Sequence, residues 1–192
     1  MKTINKEITN EIEIKNSRFI TIVTRITKEQ ISELLEKIKK QYPKATHYCY
    51  AYIMNQEKRY SDDKEPTGTA GQPMLNVLEK EELNQIMAIT VRYFGGIKLG
   101  AGGLVRAYTK SLTEALKCAT FILLEEAYKI NISFPYSEEK QVLYLLKDSN
   151  IIKKEYQEKV SLIVIIKKEN LEKLQLYSYE ILEEAYIEKK NS

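Results

Sequence analysis

Between Ile89 and Lys117 the chain carries five basic residues, Arg92, Lys98, Arg106, Lys110 and Lys117, against one acid, Glu114. They surround VRYFGGIKLGAGGLVRAY (91–108), where a β-rich run ends, glycines follow and an apolar helical period begins. A strand, a glycine loop and a helix start together make an anion site. Glycines bring backbone N–H groups close to a ligand, and the helix N-terminus adds partial positive charge. The candidate phosphate contacts are Arg92, Lys98, Arg106 and Lys110, with the backbone of Gly95, Gly96, Gly100, Gly102 and Gly103. Arg106, Lys110 and Lys117 are spaced four and seven apart, so one helix face bears a basic stripe suited to repeated phosphates. Two nucleotide fingerprints fail here. Ala101 and Gly102 stand where a P-loop needs Lys and Ser or Thr, and Val105 stands where a dinucleotide loop needs its last glycine. The bland alternative is that these glycines only permit a tight turn and close packing.

A second candidate lies upstream, in RYSDDKEPTGTAG (59–71). Asp62, Asp63 and Glu65 are oxygen donors of the kind Mg²⁺ prefers. Equally, they can cap the backbone that follows, or pair with arginines of the glycine loop and lock the two loops together; Arg59 opens the same segment. His47 and Cys49 share one face of a strand-like run, which reads either as a Cys–His dyad or as a structural histidine beside a core thiol. Tyr48, Tyr50 and Tyr52 line the opposite face, as a base-stacking platform or as rings packed under a helix. No catalytic residue, metal site or cofactor is assigned.

These segments need a scaffold. Ile8 to Ile14 alternates apolar and polar residues, and RFITIVTRI (18–26) follows a turn-prone Asn16-Ser17, which predicts a hairpin. Thr27 and Gln30 fit a capping box ahead of a helical stripe, Ile31, Leu34, Leu35 and Ile38, that ends before Pro43. HYCYAYIM (47–54) and IMAITVRYF (86–94) read as strands and 55–70 as a long loop. A short helix is predicted through Met74, Leu75 and Leu78, and a longer one from the glycine loop to about Ala119. Beyond residue 120 the order is strand, helix, strand, strand, helix, strand. The second helix is placed at 170–177. This is the βαββαβ pattern of a ferredoxin-like domain.

Composition supports the division. All seven glycines fall between Gly68 and Gly103. Residues 1–120 carry 19 Lys and Arg against 14 Asp and Glu, and 121–192 carry 11 against 13, giving +5 and −2. The predicted organisation is 1–120 and 121–192, and the fold class is α+β. Two cysteines 69 positions apart make no disulfide framework. No run approaches the ~20 apolar residues of a membrane span, and the expected location is cytoplasmic.

YSDDKEPTGTAGQPML (60–75) and VRYFGGIKLGAGGLVRAY (91–108) resemble the signature of the IMPACT/YigZ family, uncharacterised protein family 0029. Ser17-Arg18-Phe19 and His47-Tyr48-Cys49-Tyr50-Ala51 match recurrent positions of the same family, and Lys64 and Thr67 stand where Gly and Ser are usual. The resemblance implies an N-terminal α/β domain similar to domain IV of elongation factor G, and a C-terminal ferredoxin-like domain similar to its domain V. It implies a role near translation. Eukaryotic members regulate translation with an additional N-terminal domain that has no counterpart in these 192 residues, so their partner does not carry over.

Three functions follow as alternatives. The first is a non-enzymatic protein that binds RNA or the ribosome through the basic glycine loop and takes part in translation regulation. The second is a Mg²⁺-dependent hydrolase or phosphate-ester enzyme using the 60–71 loop. The third is an adaptor for a protein of the translation machinery.

Overall fold

The computed structural model describes residues 1–189. The chain divides into two compact units, Met1–Leu123 and Leu124–Ser192. The division falls three residues beyond the position marked by the charge asymmetry.

In the first unit, β2 (Ile8–Ile14) and β3 (Ser17–Arg25) form the hairpin, with Ile14 opposite Ser17. Lys15 and Asn16 between them both have positive φ (47° and 62°), the backbone of the tight turns that match strand twist. β4 (His47–Met54), β5 (Glu57–Ser61) and β6 (Ile86–Tyr93) complete a sheet of order β2-β3-β6-β4-β5, antiparallel at every pairing. β5 falls in the segment read as loop. An edge strand has a single partner and needs no buried face, so EKRYS shows no apolar alternation to betray it. A short first strand, β1 (Lys2–Ile4), pairs instead with the opening residues of β7 (Phe121–Phe134). That pairing starts β7 well before the apolar alternation from Tyr128.

Alternation along β3, β4 and β6 divides the first unit into two cores. Ile20, Ile22, Tyr52, Met87, Ile89 and Val91 pack with α1 (Ile31–Gln41). Phe19, Val23, Cys49, Ala51, Ile53 and Ala88 pack with α2 (Gly71–Lys80) and α3 (Ala101–Lys117). Tyr48 and Tyr50 also pack against the α1 core, and the Tyr48 hydroxyl donates to the Tyr42 carbonyl at 2.6 Å. The three rings are thus packed under a helix and form no open stacking platform. A polar seam crosses the α3 side: the fully buried Thr21 hydroxyl lies 2.8 Å from Thr90 Oγ1 and 2.6 Å from Ser111 Oγ.

In the second unit β7, β8 (Asn150–Tyr156), β9 (Val160–Lys167) and β10 (Tyr179–Glu188) take the order β10-β7-β9-β8, again antiparallel. That is the strand order of a split βαβ fold. α4 (Glu139–Leu145) supplies the first helix. The second is a 3₁₀ segment, Lys168–Leu174, and not an α-helix over 170–177. Leu171 and Leu174 explain this, because residues three apart eclipse in a 3₁₀ helix and both side chains reach the core. The fold class is α+β.

Candidate functional site

The acidic loop is tied down carboxylate by carboxylate. Asp62 accepts from the N–H groups of Gly68, Ala70 and Gly71 at 2.8, 3.0 and 2.8 Å, so it closes the start of α2. Asp63 Oδ2 accepts from the Tyr48 N–H at 2.6 Å. Glu65 turns inward, where its Oε1 accepts from Arg92 Nη1 at 2.6 Å and from the Tyr108 hydroxyl at 2.8 Å. Three acids within four residues of sequence thus serve three different places. Among the described residues no three His, Cys, Asp or Glu side chains form a metal-holding group. Arg59 lies apart on β5, exposed and 3.3 Å from Glu57.

His47 and Cys49 do share a face, but not as a dyad. His47 Nδ1–H donates to the Asp63 carbonyl at 2.7 Å, and Nε2 lies 3.8 Å from Glu65 Oε1. Cys49 Sγ has two acceptors in reach, the Asp62 carbonyl at 3.1 Å and Tyr108 Oη at 3.3 Å. Burial pushes its thiol well above the ordinary value, which keeps it protonated and non-nucleophilic. Burial does the same to the Tyr108 phenol.

The glycine loop is built from two kinds of contact. Gly95 sits against the β2–β3 turn, where an added Cβ would come within 2.0 Å of the Asn16 carbonyl oxygen. Its N–H already donates to Ser17 Oγ at 3.2 Å, so this glycine serves packing and offers no free donor. Gly100 has φ 70° and ψ 167°, a combination reserved for glycine, and it launches α3. Leu104 is the first to close a helical bond, to the Gly100 carbonyl at 2.9 Å, and no side chain caps the end. The N–H groups of Ala101, Gly102 and Gly103 are therefore the orphan donors of this terminus. Nothing but the Arg106 guanidinium, at 3.7 Å, would lie near a Cβ at Gly102.

The basic residues fall into two groups. Lys98, Arg106 and Lys110 are exposed, and among the described residues none has an ion pair within 4 Å. Arg92 differs from the expectation of a surface phosphate contact. It points inward from β6, only 4% exposed, with the Phe19 and Phe94 rings 5.4 and 5.6 Å from its guanidinium. Lys117 is held by Glu114 at 2.8 Å.

Between the buried pair and the helix start lies a cleft of about 430 Å³, with Arg92, Glu65 and His47 beside Phe94, Lys98 and Leu104. The sequence singled out its charged residues but not Phe94, Leu99, Pro66 or Thr46, which complete the wall. An aromatic residue just past a strand end, before two glycines, was the available signal.

The Impact N-terminal domain family matches residues 15–116, which hold the cleft, both loops and the three exposed cations. An IMPACT family member of Haemophilus influenzae is 36% identical over 91% of this chain and 87% of its own length. The chain belongs to the IMPACT family. YigZ of Escherichia coli, also in the IMPACT family, is 36% identical over 80% of this chain and 79% of its own. YvyE of Bacillus subtilis is 50% identical, in an alignment covering 59% of this chain and about half, 54%, of that IMPACT protein. The crystal structure of a hypothetical protein, 31% identical, superposes with a TM-score of 0.74 over 95% of this chain and 97% of that one. No described helix of this IMPACT chain is long and apolar enough to cross a membrane.

Proposed function

We propose that this protein acts in translation by binding structured RNA, on the ribosome or free, and performs no reaction of its own. The observation that carries this reading is the exposed set Lys98, Arg106 and Lys110, unpaired among the described residues, beside an α3 N-terminus that no described side chain caps. Phosphates would be met by three exposed cations and by the backbone donors of Ala101, Gly102 and Gly103, while the buried Arg92 holds the loop in place. Exposed lysine and arginine release counterions when they meet phosphate, so affinity should fall steeply with salt.

The test is a filter-binding titration with a structured RNA across salt, comparing wild type with an Arg106→Glu/Lys110→Glu variant. Both side chains are exposed, so the variant should fold. The expected result is weaker binding and a log–log salt slope reduced by about one for each lost phosphate contact. Equal affinity and equal slope would remove the basic stripe from consideration.

A further inference from the structure

We infer that the cleft beside the basic stripe receives the base of an unpaired nucleotide, so that this surface distinguishes RNA with exposed bases from fully paired RNA. The inference rests on the RNA-binding reading above and names what the same site selects.

Three features carry it. The first is size and lining: about 430 Å³ lies within the roughly 300–1,000 Å³ typical of small-molecule sites. Its wall is largely apolar, with the Phe94 ring, 45% exposed, standing at the cleft beside Leu99 and Leu104. An exposed ring over an apolar slot is the usual platform for a splayed base.

The second feature is the polar floor. Glu65 and Arg92 line the cleft with side chains only 3% and 5% exposed, and each keeps unused hydrogen-bonding capacity. Arg92 Nε has no acceptor among the described residues. Glu65 spends its Oε1 on Arg92 and Tyr108, and its Oε2 has no partner among the described residues. A buried carboxylate and guanidinium that retain capacity are suited to an edge that donates and accepts side by side, as base edges do.

The third feature is the mouth. Lys98 and the open N–H groups at the start of α3 adjoin the same cleft, which places phosphate-binding groups next to the slot. A nucleotide whose base enters the slot keeps its phosphate at the helix start, and the strand continues over Arg106 and Lys110. A base paired in a duplex cannot enter without being extruded, which costs unstacking and unpairing.

The experiment measures fluorescence anisotropy of the full chain, at one salt concentration, with three RNAs of equal length. One is a single strand, one the same strand with abasic sites, and one a fully paired duplex. Wild type should bind the intact strand about ten-fold tighter than the abasic one, the scale of one stacked base. Phe94→Ala, which removes an already exposed ring, should erase that preference and leave duplex binding unchanged, with circular dichroism confirming the fold. A 2-aminopurine reporter in the intact strand should change its emission with wild type and not with Phe94→Ala. Equal affinity of wild type for intact and abasic strands overturns the cleft proposal while leaving the stripe in place. Absence of binding to all three RNAs overturns the stripe and the cleft together.

Discussion

Glu65 meets Arg92 at 2.6 Å with their side chains 3% and 5% exposed, joining the loop after β5 to the end of β6. Removing one partner of such a pair strands a charge out of water. Glu65→Ala should therefore destabilise the first unit by about 3–5 kcal/mol, read as a lower urea midpoint. The Tyr108→Phe change removes only one neutral donor to the same carboxylate and should cost about 0.5–1.5 kcal/mol. Comparable losses for the two variants would show that the ion pair is not what holds the loop.

The two roles of glycine in the 95–103 loop separate cleanly by mutation. Gly100→Ala meets no neighbour within 4 Å and suffers only backbone strain, so a loss of about 1–3 kcal/mol is expected. Gly95→Ala drives a methyl into the Asn16 backbone at 2.0 Å, where no flexible side chain can yield. Its expected outcome is a larger loss of stability than at Gly100, or no folded protein. Thermal melts of the pair decide the matter, and a Gly95→Ala protein as stable as Gly100→Ala contradicts the close approach.

The two cysteines should differ completely towards a thiol reagent. Cys118 is exposed, whereas Cys49 is fully buried and burial pushes its thiol upward. In native buffer near pH 8, Ellman's reagent should titrate one thiol quickly, and both once urea is added. Rapid reaction of Cys49 in the folded protein would show that the floor of the α3 side opens readily.

Alkaline pH should erode stability in a definite window. Burial first, and then the Glu57 carboxylate that accepts from its hydroxyl, push Tyr52 up to about 12 from an ordinary 10.0. The folded chain thus keeps a proton that the unfolded chain loses, and stability is full below about pH 10 and lost as pH rises towards 12. Burial of Tyr108 acts in the same direction. Urea midpoints measured at pH 8 and pH 11 should fall less steeply for Tyr52→Phe than for wild type. Identical declines would remove Tyr52 as a source.

Where the sequence was legible, a burial period or a turn signal coincided with the structure. Ile8–Ile14 and RFITIVTRI (18–26) announced their hairpin, although its turn falls one residue earlier, at Lys15-Asn16, so that Ser17 opens β3; HYCYAYIM coincides with β4 residue for residue. The edge strand β5 was hidden, and the helix placed at 170–177 is a 3₁₀ segment over Lys168–Leu174, because neither stretch carries a full amphipathic period. For the site, sequence placed the charges but not their depth. Arg92 and Lys98 look alike in one dimension, and only the pleat of β6 sends the first inward while the loop leaves the second outside. The cleft was invisible for the same reason, since Thr46, Pro66, Phe94 and Leu104 meet only after three separate segments converge.

The hydroxyl seam of Thr21, Thr90 and Ser111 bears on where the cations point. An aliphatic helix–sheet contact tolerates a small roll of the helix, because dispersion is almost indifferent to angle. Hydrogen bonds at 2.6 and 2.8 Å are not. Ser111 faces the sheet, so the bearing of Lys110, the residue before it, and of Arg106, five residues before it on α3, is indexed to strands β3 and β6. The seam acts as a keyway that fixes the azimuth of the charged face, so that a polyanion bound there as proposed would meet it already aimed.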